Sequence, residues 1–112
     1  MTQLERDVID IVAEESGKRK NQISLDSTLL DDLGVDGDDA WELLERLHER
    51  YKVDFSEFEF MRHFRNEPCL KGPTYLIRKL KYQDEHTAAG KTPITVAALV
   101  AACEKRAWNY DI

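Results

Sequence analysis

Leu33-Gly34-Val35-Asp36-Gly37-Asp38-Asp39-Ala40-Trp41-Glu42-Leu43-Leu44 joins a glycine turn to the start of a helix. Asp36 or Gly37 suits the N-cap, and Asp38 and Asp39 favour the positive end of the helix dipole. The helix so opened runs to about Tyr51. Ala40, Leu44, Leu47 and Tyr51 step by four, three and four, which predicts an inward stripe that Leu43 widens. Asp38, Glu42, Glu45 and Glu49 form a separate acidic stripe.

Working outward, Leu4, Val8, Ile11 and Val12 recur at helical spacing and predict an amphipathic helix from about residue 3 to 16. Gly17 suits its C-terminal cap, and Lys18, Arg19 and Lys20 follow beside the negative end of the dipole. Residues 17–36 form a long loop, but Ile23, Leu25, Leu29, Leu30, Leu33 and Val35 are too apolar to leave in water. The loop must lie across the core, with a short helical turn at 28–33. Beyond Tyr51, Val53-Asp54-Phe55 reads as an extended link. Ser56 is expected to cap a third helix at about 57–65, with Phe58, Met61 and Phe64 on one side. Asn66, Pro68, Gly72 and Pro73 break the pattern. Residues 74–91 leave a short strand pair and a helical turn equally open. Thr95 caps a last helix from Val96 to about Arg106, with Leu99, Val100 and Cys103 facing the core. Trp108 and Tyr110 are expected to pack back on the bundle. The fold class is therefore mainly α: one small bundle of about four helices, residues 1–112, with an inserted segment at about 66–93.

The 112 residues are 42% apolar and 34% charged, enough for one globular core. No apolar run approaches a bilayer span and no signal peptide opens the chain, so a cytoplasmic protein is expected. Cys69 and Cys103 belong to no CxxC pair and read as reduced thiols. Residues 1–60 carry 7 Lys and Arg against 17 Asp and Glu, a net of −10; residues 61–112 carry 9 against 5, a net of +4. The acidic half repels phosphate backbones, so nucleic acid is not an expected partner; a basic protein surface is.

The segment from Leu33 to Leu44 resembles the attachment-site segment of acyl carrier proteins. There a leucine-glycine pair precedes an Asp-Ser-Leu triplet and an acidic helix. The first helix, the leucine-bearing loop, the Val53-Asp54-Phe55 link and Thr95-Val96 agree with that order. The likeness covers about residues 3–65 and 94–106. The ending from Pro93 through Leu99 to Trp108 also resembles a family of short bacterial proteins related to acyl carriers and without an assigned function. The resemblance implies a carrier-type bundle and a second helix that partner enzymes of fatty-acid or related acyl metabolism read.

One position departs from that pattern. In a carrier, the serine hydroxyl at the helix start holds phosphopantetheine, whose phosphate the dipole and free amides favour. Asp36 matches the family's aspartate, but Gly37 stands at the serine position and has no nucleophile. Asp38 replaces the following apolar residue and adds negative charge. No phosphopantetheine is expected. If the helix start keeps carrier geometry, Gly37→Ser should restore a transferase substrate. The alternative is a carrier that attaches its group at Ser27, Ser56 or a cysteine thiol.

The partner-binding candidates are Asp38, Trp41, Glu42, Glu45 and Glu49. The acidic stripe reads either as a docking face or as solvated surface. Trp41 is a contact residue if exposed and core if buried. Asp32, Asp36 and Gly37 partly imitate a calcium loop, but Gly34 and Leu43 stand where ligands belong, so no metal site is expected. His48, His63 and His86 show no ligand spacing and read as surface histidines. No catalytic residue is assigned: there is no nucleophile–base arrangement and no phosphate loop. Arg78, Lys79 and Lys81, with Tyr75 and Tyr82, read as a solvated patch or as a contact for the acidic half of another copy.

Overall fold

The computed structural model describes residues 1–66 and 91–109. The described residues form four helices and no strand beyond two isolated bridges. The strand-pair question at 74–91 and most of the inserted segment lie outside the described residues. So do Cys69, His86, Tyr110 and the Arg78-Lys79-Lys81 patch.

Helix α1 spans Gln3–Ser16. Thr2 Oγ1 accepts from Glu5 N at 3.1 Å and Glu5 Oε1 accepts from Thr2 N at 2.8 Å, which makes a capping box. Gly17 closes the helix at φ 76°, a conformation open to glycine without penalty. Val8, Ile9, Ile11 and Val12 are buried. A 3-10 turn at Lys20–Gln22 follows, and Lys20 pairs with Asp10 at 3.0 Å.

Helix α2 spans Gly37–Tyr51, and Lys52 ends it at φ 60°. Ala40, Leu43, Leu44 and Leu47 are fully buried and Tyr51 partly so. Helix α4 spans Val96–Lys105. Thr95 caps it, with Oγ1 accepting from Ala98 N at 3.1 Å, and Arg106 ends it at φ 62°. Leu99, Val100 and Cys103 are buried. α1 packs on both α2 and α4, so its apolar stripe is the shared wall of the bundle. Each large aliphatic side chain buried there contributes about 1.5–3 kcal/mol.

The 17–36 loop lies over this core, with Ile23, Leu29, Leu33 and Val35 buried. Thr28 O accepts from Asp32 N at 3.2 Å and Leu33 N at 3.1 Å, which makes the helical turn. The loop is tied to the entry of α4: Leu29 N donates to Ile94 O at 2.9 Å and Val96 N to Ser27 O at 3.0 Å, around a Thr28–Thr95 antiparallel bridge. At the other end of α4, Asp54 N donates to Arg106 O and Trp108 N to Asp54 O, both at 3.0 Å. Trp108 thus packs back as expected.

The third helix differs from expectation. α3 is only Phe60–His63, and Glu59 precedes it in place of a Ser56 cap. Ser56 N donates to Asp54 Oδ1 at 2.8 Å and Phe58 N to Phe55 O at 2.9 Å, so 55–58 is a turn. The cause is the spacing of Phe55, Phe58, Phe60 and Phe64, all buried. Residues two apart cannot share a helix face. Glu59, extended at φ −103°, ψ 93°, lets Phe58 and Phe60 both reach the core.

Candidate functional site

The start of α2 is built around Asp36. Its carboxylate does not turn onto its own helix beyond Gly37 N, at 2.9 Å. Oδ1 also accepts from Arg65 N at 3.0 Å and Asn66 N at 3.1 Å, and Oδ2 from Asn66 Nδ2 at 2.8 Å. Its carbonyl accepts from Asp39 N at 3.1 Å. The residue thus clamps the end of the α3 segment to the start of α2. Gly37 beside it is buried and sits at φ 54°. That region costs a residue with a Cβ about 1–2 kcal/mol. An attachment serine must present its hydroxyl to an enzyme, and this position is closed to solvent.

Along α2, Asp38, Glu42 and Glu49 are exposed and Glu45 is half-buried. Trp41 is not an exposed contact residue. It is 5% exposed, with its ring 6.3 Å from that of Phe60, and belongs to the core. The helix buries a wider arc than the 40/44/47 stripe because the phenylalanine segment covers its flank.

The two arginines of α2 point at α1. Arg46 bridges Glu14 at 2.7 Å and Glu15 at 3.1 Å, and Arg50 reaches Asp7 at 3.6 Å. These pairs are half-exposed and each is worth less than about 1 kcal/mol. Their consequence is in charge placement. Among the described residues, no ion pair engages Glu42, Glu45 or Glu49. Carboxylates of Glu15, Asp39 and Glu42 also converge, with oxygens within 4.8 Å of one another. Burial, and then the charge of Glu42, raises the Glu15 carboxyl above the usual range, against the pull of Arg46. No spacing pattern signals this trio, because Glu15 lies on another helix. The imitation calcium loop does not assemble: Asp36 is held by amides, and Asp32 Oδ2 accepts from Thr28 N at 2.8 Å.

The family model described as "Protein of unknown function (DUF1493)" matches residues 1–111. The chain belongs to this family. Among curated proteins, this DUF1493 chain is 34% identical over 56 residues to the acyl carrier protein of Rickettsia bellii (strain RML369-C). That match covers 50% of the chain and 65% of the carrier, a little under two thirds of its length. No solved structure matches.

Among the described residues, the histidines, the cysteine and the two candidate serines are buried or half-buried. His63 is 3% exposed rather than on the surface, and burial lowers its imidazole to about 4. His48 is half-buried, its Nδ1 2.8 Å from Val53 O. The Cys103 thiol is buried and pushed up to about 11, so it is not a thiolate at neutral pH. Ser27 and Ser56 are half-buried, and Ser27 Oγ accepts from Ser24 N at 3.0 Å. Among the described residues, no helix is long and apolar enough to cross a membrane.

Proposed function

We propose that this DUF1493 chain is a non-carrying relative of acyl carrier proteins that binds a partner protein through the acidic face of α2. It carries no phosphopantetheine and performs no catalysis. The partner presents a basic surface and, by analogy with acyl carrier proteins, is an enzyme of fatty-acid or related acyl metabolism, a reading that the partial likeness to a carrier supports. The observation that supports docking is the charge division of α2. Its arginines are spent on α1, and Glu42, Glu45 and Glu49 keep one sign. A one-sign face steers a basic partner and weakens as salt rises. Because Trp41 is core, the apolar part of the contact falls to other residues.

Replacing Glu42, Glu45 and Glu49 together with Lys tests this. Proteins retained from cell extract by the immobilised chain should be lost, with affinity down at least about tenfold and helical circular dichroism unchanged. Equal retention by the variant would reduce the stripe to solvated surface.

The absence of a carried group has its own test. Neither the natural chain nor Gly37→Ser, given a phosphopantetheinyl transferase and coenzyme A, should gain the mass of one phosphopantetheine. Support comes from the buried, left-handed Gly37, where serine is strained and out of reach. Added mass on the natural chain would make it a carrier; on Gly37→Ser alone, it would show that the helix start opens.

A further inference from the structure

We propose that a basic-rimmed groove between α1 and the 3-10 turn binds the acidic face of α2 on a second copy of this chain. The groove is a concavity of about 370 Å³. Its lining joins the buried Ile9 and Ile23 to the exposed Arg6 and Lys20 and the half-buried Asp10. Lys18 and Arg19, also exposed, lead into Lys20. Among the described residues, only Lys20 of these four cations has an ion pair, with Asp10 at 3.0 Å. Arg6, Lys18 and Arg19 are thus uncompensated cations in the half of the sequence with the net of −10.

Helix α2 shows the converse, with its arginines drawn to α1 and Glu42, Glu45 and Glu49 left without an ion pair among the described residues. The division follows the flanks of α1. Asp7, Glu14 and Glu15 reach the arginines of α2, whereas Arg6, Ile9 and Asp10 line the groove toward the 3-10 turn. Each copy therefore carries both halves of one contact: three unpaired carboxylates on one element and three unpaired cations on another. Opposite potentials attract and set register, while two acidic faces repel. The contact is heterologous, joining unlike surfaces of two copies. It rests on the reading of the α2 stripe as a docking face. It also makes self-association and partner binding compete for that face.

Sedimentation equilibrium of the full chain up to millimolar concentration, at low and at high salt, tests this. The weight-average mass should rise with concentration at low salt and return to that of the monomer at high salt. Reversing the basic set with Arg6→Glu, Lys18→Glu and Arg19→Glu should weaken association at least about tenfold, as should reversing Glu42, Glu45 and Glu49 to Lys. All six positions are exposed or half-buried, so both variants should keep the helical circular dichroism of the wild type. Mixing the two variants should restore association, because each then meets the opposite charge. A wild type that stays monomeric at low salt overturns the proposal. So does association that survives reversal of the basic set, or a mixture that stays apart. Partner capture from cell extract separates this contact from the docking reading, and the variant with the reversed basic set should still retain the partner. Capture lost on α2 reversal with self-association intact overturns the self-contact alone. Self-association lost with capture intact overturns partner docking alone. A monomeric wild type whose capture fails when the basic set is reversed gives the groove a different occupant, and this too overturns the proposal.

Discussion

Phe58→Ala is expected to lower the unfolding free energy by about 4 kcal/mol. Phe58 is fully buried and central to the aromatic cluster. Its ring lies 5.7 Å from Phe55, 6.3 Å from Phe60, 6.5 Å from Phe64 and 5.3 Å from Trp108, and it stacks on His63. Truncation removes the transfer gain of the ring, leaves a cavity, and ends aromatic pairs worth about 0.5–1.5 kcal/mol each. Domains of this size hold about 5–15 kcal/mol in total, so the loss is a large share. Urea unfolding followed by circular dichroism measures it. A loss under about 1 kcal/mol would show that the cluster closes over the gap and is not tightly packed.

Asp36→Ala should cost about 2–3 kcal/mol, with a fall in Tm of about 10 °C or more. One carboxylate accepts four N–H groups, three of them from residues 65 and 66. Hydrogen bonds to a charged acceptor are stronger than neutral ones. The groups at Arg65 and Asn66 are exposed, so water offsets part of the loss, which keeps the figure below a simple sum. Asn66→Ala should cost less than 1 kcal/mol or so, since only its side-chain contact goes. If Asp36→Ala melted with the wild type, the clamp would be incidental to folding.

The bundle was legible in the sequence where local rules and periodicity agreed. Thr95 and Gly17 mark helix ends, and α1, α2 and α4 fall close to their expected bounds. The phenylalanine segment was not legible. Its four buried rings mix spacings of two, three and four, and only their packing on one another and on Trp41 of α2 decides which local structure serves them. The burial of Trp41, which the spacing leaves open, and of His63, expected on the surface, both follow from that same segment. The Asp36 clamp joins residues about thirty positions apart, and the Glu15–Asp39–Glu42 trio joins two helices. No pattern within a helix announces either. Gly37 is legible as standing where the resemblance puts a carrier's serine, but its left-handed backbone is not.

The pairing of α1 with both α2 and α4 bears on how the protein is made. Ribosomal synthesis delivers α1 first and α4 last of the four helices. Until α4 emerges, α1 lacks one of the two helices that it packs on. The backbone pairs that α4 makes at its two ends, with Ser27–Leu29 and with Asp54, must also wait. The nascent chain therefore carries an uncovered apolar wall until its last helix docks, and that interval is when it most needs shelter from aggregation.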